Sequence, residues 1–292
     1  MRFGVREICN VVLKAKTSQK VGGYSFVEGQ PVLWFTSLKT STVEGSTETV
    51  YATGGRGNSR LIAWEGDRNL TFTMEDALLS PMSIAILTGA GLIDSDALAE
   101  DESIILHGTE TVTVKEAGSI ELAHTPANDS IWVTKLDDLG NYTGTAVKAA
   151  KGTDKKITVT DAKAAEVYFV DYYYEAKKAS SLHALQVDIA PDKFGGNYYL
   201  EAETLFRDEN GVDRPAEFII PNCKVQSNFT FSMASSGDPS TFTFTMDAFP
   251  APLAHGDKTK KVLCSIQICD DEEAEVATNT TGESTKEPAI YV

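Results

Sequence analysis

Residues 69–81 read "NLTFTMEDALLSP" and residues 240–252 read "STFTFTMDAFPAP". Both alternate threonine with an apolar residue: Phe72 and Met74 in the first, Phe242, Phe244 and Met246 in the second. Period-two alternation marks a strand with one buried and one solvated face, and β-branched and aromatic residues both suit a pleated surface. After the methionine each copy turns acidic and reaches a proline, through Glu75 and Asp76 to Pro81 and through Asp247 to Pro250. A third alternation, "NFTFSM" at 228–233, sets Phe229 and Phe231 on one side. An internal duplication gives such a pattern, as do two strands with equivalent jobs in one sheet.

Working outward, the same chemistry recurs. Runs closed by Gly, Asn, Asp or Ser predict strands at 31–38, 60–64, 69–74, 111–114, 156–160, 166–174, 198–206, 216–221, 224–233 and 240–246. The chain reads as mostly β. One helix stands apart in "DALLSPMSIAILTGAGL": Ser80 offers an N-cap, Pro81 suits the first turn, and Gly89 or Gly91 supplies the stop. Short and apolar, it should lie against a sheet. Between 39 and 59, "KTSTVEGSTETVYATGGRGNS" reads as a long Gly/Ser/Thr-rich loop.

Composition narrows the function. A chain of 292 residues, 42% hydrophobic and 23% charged, suffices for one large core or two ordinary ones. The net charge of −16 and a pI near 4.7 argue against phosphate-neutralising nucleic-acid binding, which needs surplus Lys and Arg. Seven acids against one lysine put −6 of that charge in residues 270–292, an acidic C-terminal tail expected to be solvated. No stretch approaches the roughly 18 apolar residues of a membrane span. The opening "MRFGVREICNVVLKAK" lacks the pattern of a secretory signal, so the expected site of synthesis and assembly is a cytosol, with no membrane anchor.

The chemistry-bearing residues do not converge. Cys9, Cys223, Cys264 and Cys269 lack C-x-x-C spacing and read as buried thiols, the last two on opposite faces of a strand. His107, His124, His183 and His255 are scattered, no G-x-S-x-G elbow occurs, and "GGRGNS" lacks the Lys-Ser/Thr of a phosphate loop. Adjacent acids such as Glu75–Asp76, Asp137–Asp138 and Asp208–Glu209 point to opposite faces of a strand and cannot serve together as acid and base unless a turn brings them round. The expectation is no enzyme, no metal and no cofactor. Residues 101–179 hold several short strands at the spacing of a small immunoglobulin-like β-sandwich. The run Asp171–Tyr174 within it suits a partly exposed strand flank, or a surface on which a sugar stacks.

The order of N-terminal strand block, loop 39–59, "NLTFTMEDALLSP" and helix "MSIAILTGA" resembles tail tube proteins of tailed bacteriophages, as does the closing pair "KVQSNFTFSMASSGDPSTFTFTMDAFP". The resemblance covers about residues 1–100 and 180–250 and rests on pattern rather than on an invariant motif. It implies a tail-tube β-sandwich or barrel with one flanking short helix, discontinuous over 1–100 and 180–269, with 101–179 inserted. It further implies a virion structural protein that forms stacked, typically hexameric rings around an electronegative channel for DNA ejection. Partners would be copies of itself, baseplate and tail terminator proteins, a sheath protein if the tail contracts, and DNA in unspecific passage. The lumen would be faced by Thr71, Thr73, Thr241, Thr243 and Thr245, with Phe72, Met74, Phe242 and Phe244 packed under the helix. Glu44, Glu48, Arg56 and Arg60 would belong to the loop that stacks rings, although Arg56 by itself reads as an ordinary surface-loop residue. Two other classes stand beside this: a virion adhesin gripping a glycan or host surface through Trp132 and the tyrosines of 101–179, and a β-sandwich hydrolase, for which no nucleophile and base can be named.

Overall fold

The computed structural model describes residues 2–5, 7–230, 235 and 241–269. Phe231 and the 270–292 tail lie outside the described residues. The chain divides into two compact units, residues 1–90 with 190 onward, and residues 91–189. It is mostly β, with a single α-helix among the described residues.

The first unit is built on a nine-stranded antiparallel sheet. Its strands are β1 (Phe3–Val5), β2 (Asn10–Ala15), β3 (Pro31–Phe35), β4 (Leu38–Gly54), β5 (Ser59–Asp76), β6 (Asn197–Asp208), β7 (Asp213–Val225), β8 (Phe242–Ala248) and β9 (Ser265–Ile268). The main order is β3-β2-β6-β7-β8-β5-β4, with β1 against β6 and β9 against β7. Strands β3 and β4 thus stand at opposite ends of the order, yet only Thr36 and Ser37 join them. Seven strands laid flat span about 30 Å at the usual ladder spacing, and so short a link reaches only about 10 Å. The sheet therefore curls until its two ends meet. Ala77 N donates to Ser37 O at 3.1 Å and Ser37 Oγ to Asp76 Oδ1 at 2.5 Å. Cys9 N donates to Ser41 Oγ at 3.2 Å, and the rings of Phe35 and Phe244 meet edge-on at 5.1 Å.

Curling creates the core. Val11, Leu13, Leu200, Ala202, Ile220 and Cys223 from one half of the sheet meet Phe72, Met74, Phe244 and Met246 from the other, all fully or almost fully buried. Each large apolar side chain so buried contributes about 1.5–3 kcal/mol. The opening alternation is thereby explained, since the two phrases are neighbouring strands. Phe244 faces Met74, Met246 faces Phe72, and Thr245 faces Thr73 on the other side. The third alternation departs from expectation. Strand β7 ends at Val225, and Gln226–Thr230 leave the ladder after one further bond from Gln226 N to Thr245 O. Polar side chains take over there: Gln226 Nε2 donates to Asp247, and Ser227 Oγ accepts from Gly195 N.

Helix α1 (Pro81–Thr88) forms as the sequence specifies. Ser80 Oγ accepts from Ser83 N at 3.0 Å and Ser83 Oγ accepts from Ser80 N at 2.9 Å, a capping box with serine at both positions. Ile86 and Leu87 enter the core, and Gly89 ends the helix at φ 69°. A β-carbon on Gly89 would lie 2.2 Å from Phe194 O, so the site needs glycine twice over.

The expectation of buried thiols holds for two of the four cysteines and fails outright at Cys269. Cys9 and Cys223 are buried, Cys264 is half-buried and Cys269 is exposed, all as free thiols. Cys269 follows β9, whose strand partner among the described residues is Ala216–Ile219 and whose Ile266, Gln267 and Ile268 are exposed.

The second unit takes in the short pair Gly91–Asp94 and Leu185–Asp188 beyond the 101–179 segment. It holds a four-stranded sheet in the order Val147–Lys148, Trp132–Leu136, Val167–Ala176, Ile104–Thr113. A three-stranded sheet runs Ser119–Glu121, Lys156–Thr158, Ala150–Lys151. The two share a core that includes Ile120, Ile131, Val133, Ile157, Val170 and Tyr172. The long strands Ile104–Thr113 and Val167–Ala176 are direct antiparallel partners, Ile104 opposite Ala176.

Gly89→Ala should lower stability by about 2–4 kcal/mol, the sum of a left-handed backbone and an overpacked contact. Urea unfolding of the variant checks this, and an unchanged midpoint would mean the Phe194 backbone yields freely. In thiol titration of native protein at pH 8, Cys269 should react first. Cys223, its thiol pushed by burial up to about 12, should react only on unfolding.

Candidate functional site

On the face of β4, β5 and β8 turned away from the core, three cross-strand rows lie in register. They are Thr40–Glu75–Thr243, Thr42–Thr73–Thr245 and Glu44–Thr71–Asp247. This surface is threonine and carboxylate, without a basic residue in any row. Thr71, Thr73, Thr241 and Thr245 are half-buried and Thr243 is exposed. Phe72, Met74 and Phe244 lie in the core with α1, and Phe242, at the end of its strand, is partly buried against it. Strict alternation ties these assignments together, because a slip of one residue would exchange the two faces.

The segment 39–59 is not a loop. Its Ser, Thr and Glu residues run through β4, which pairs with β5 along almost its whole length, from Leu38–Asp76 to Gly54–Ser59. The hydrogen-bonding capacity of the backbone decides this, since a polar, exposed strand still satisfies its N–H and C=O groups by pairing. Only Gly55–Asn58 turn, with Asn58 N donating to Gly55 O at 3.2 Å and positive φ at Gly55, Gly57 and Asn58. Arg56 sits in that turn. Arg60 lies on the paired arm with its guanidinium 4.0 Å from the Tyr51 ring centre, and Glu44 and Glu48 are strand residues, Glu48 within a bulge. Outward of Ser46 the hairpin runs nine residues to Gly54, about 30 Å. Every residue from Ser59 to Asn69 is exposed. The arm nevertheless carries apolar residues, with Val50 opposite Trp64 and Ala52 opposite Ile62 on one face. Val50, Leu61, Ile62 and Trp64 are each more than half exposed. The outer margins of β3 and β4 have no strand partner among the described residues.

Sequence reading missed a second acidic surface, because its members lie on strands distant along the chain. On the outer side of β6 and β7, Glu203 stands directly opposite Glu217, with Glu201 nearby in an ion pair with Lys14. Burial, then Glu201 and Glu203, raise the Glu217 carboxyl above its ordinary value.

Among the described residues three of the histidines are held in separate local contacts. His107 pairs with Asp171 at 3.2 Å, His124 stacks on Tyr174 at 4.3 Å, and His183 meets Asp94 at 2.9 Å. Asp94, Asp96 and His183 are the group of metal-capable side chains drawn together among the described residues. Asp94 already accepts from Asp96 N at 2.9 Å, which holds its carboxyl below the usual range and makes it the cap of the short turn at Ser95–Ala97. No helix among the described residues is long and apolar enough to cross a membrane.

A curled sandwich with one capped helix, a threonine face and a projecting hairpin has the parts expected of a tube subunit. The sequence model of the YomU/Tube protein family matches residues 19–263, continuously through both units. The chain belongs to the YomU/Tube protein family. Nothing among the curated proteins matches it. The family is one of phage tail tube proteins, so the chain is a structural component of the tail tube, and self-assembly with other tail components follows from membership.

For this tube protein, Glu217→Gln should raise stability at neutral pH by about 0.2–1 kcal/mol, the scale of a like-charge cross-strand pair. A raised carboxyl value means the folded state resists ionisation more than the unfolded chain. The cost of Glu217 is therefore absent below about pH 4.3 and grows as pH rises. Denaturation of both proteins at pH 7 and pH 3.5 should show the gain only at pH 7.

Proposed function

We propose that copies of this chain form stacked, sixfold rings whose bore is lined by the threonine–carboxylate face of β4, β5 and β8. The observation that carries the reading is the β4–β5 arm. A hairpin about 30 Å long that leaves Val50, Leu61, Ile62 and Trp64 in water has an interface to complete. A subunit of the next ring, presenting complementary apolar surface, completes it. Arg56 at the tip supplies a charge for a neighbour's carboxylate. Within a ring, the open margins of β3 and β4 are the places where sheets of adjacent copies join, because closure through neighbours removes edges that would otherwise template aggregation.

The acids Glu44, Glu75 and Asp247 repel phosphate, so DNA would slide past without binding. The role is structural, without catalysis or cofactor. The tube would assemble in the host cytoplasm and become part of the virion tail. Baseplate and terminator proteins would cap its ends, and a sheath would surround it if the tail contracts.

The inserted segment reads as immunoglobulin-like. Support for this reading is the strand order, in which the three-stranded sheet would supply strands B, E and D, and the four-stranded sheet C′, C, F and G with the G place taken by the segment's first strand.

Electron microscopy of the purified protein should show tubes of uniform width. Replacing residues 48–67 by Asn-Gly joins Thr47 to Arg68, which already face each other. That variant should keep its fold and give separate rings. Ordinary tubes would overturn the stacking role of the arm, and wild-type protein that never forms rings would overturn the assembly itself.

A further inference from the structure

The outer face of the four-stranded sheet in unit 91–189 plays no part in the assembly reading, and its residues have a chemistry of their own. Strand register places Trp132 directly opposite Asp171, and Tyr173 directly opposite His107. Residues 171 and 173 share a face, so the order across the surface is indole, carboxylate, then phenol beside imidazole. The Trp132 side is flanked by Phe169, whose ring meets Tyr142 edge-on at 5.7 Å. His107 Nε2 lies 3.2 Å from Asp171 Oδ2, and the His107 and Tyr173 rings are 5.4 Å apart. These groups are open to solvent. Trp132 is 44% exposed and Tyr173 is 36% exposed, while the side chains of His107 and Asp171 are 52% and 39% exposed.

We propose that this face binds an uncharged, β-1,4-linked pyranose chain. A pyranose has an apolar face of C–H groups and a rim of hydroxyls. Trp132 and Tyr173 offer rings for the first, and Asp171 with His107 offers an acceptor and a second polar partner for the second. Diagonal neighbours in an antiparallel pair lie about 7–8 Å apart, so the two rings can hold successive sugars with the carboxylate at the corner beside both. Exposed rings on adjacent strands, open to solvent, suit an extended β-1,4 chain better than a coiled α-1,4 chain. Lys148 stands opposite Trp132 on the same face, so with Asp171 the row carries one charge of each sign and no net charge to attract an acidic sugar or nucleic acid. A protein partner would more naturally bury an apolar centre with a polar rim, whereas here the carboxylate stands in the middle. The proposal is independent of ring formation and survives the failure of that reading.

Calorimetric titration of the full chain with cellohexaose, chitohexaose and maltohexaose tests it. Saturable binding of a β-1,4-linked hexamer is expected, with at least tenfold weakening in Trp132→Ala and in Asp171→Asn. Circular dichroism should be unchanged in both, since the substituted side chains are solvent-exposed. Phe249→Ala, on the other unit and at a residue that is also 43% exposed, should bind as the parent does. Absence of binding by both β-linked hexamers overturns the proposal. So does binding of maltohexaose alone, or binding that survives Trp132→Ala or is lost in Phe249→Ala.

Discussion

The two-residue link between β3 and β4 is the constraint from which the rest of the first unit follows. It forbids a flat sheet, because strands at opposite ends of the order must come together within the reach of Thr36 and Ser37. Once the ends meet, one face of the central strands is turned inward, and Phe72, Met74, Phe244 and Met246 have no other place to go. Asp76 holds the closure. It accepts from Ser37 Oγ and from Leu78 N, tying the end of β5 to the link and to the approach of α1. A short link, a buried carboxylate and a capped helix thus act as one closure, each making the others' geometry cheap to maintain.

Much of this was legible in the sequence for a physical reason. Thr–Phe alternation encodes a strand and also which side of it is wet, and Ser80, Pro81 and Gly89 encode a helix by the hydrogen bonds and backbone angles they permit. Those signals are local. The register that sets Thr73 between Thr42 and Thr245 is not local, and no single strand reveals it. The same holds for Glu203 opposite Glu217, and for Trp132 opposite Asp171.

The projecting arm was misread for a different reason. Periodicity is visible only where burial differs between the two faces, and the outer part of the hairpin is exposed on both. Its Gly, Ser, Thr and Glu content therefore looked like a loop, although Thr, Val, Tyr and Ile are good strand formers. The family match supports the general reading of a tail tube protein. In this chain the polar face is kept apart from the apolar arm, and strand alternation enforces the first while sheer length creates the second.

Gly91 stands opposite Asp188 in the short pair that opens and closes the second unit. Chain entry and exit are therefore one ladder spacing apart, about 5 Å, no wider than the mouth of a tight turn. To the first unit the intervening residues are equivalent to a hairpin, whatever they contain. Closing so narrow a neck adds little entropic cost there, because loop-closure entropy grows only slowly with the length of chain enclosed.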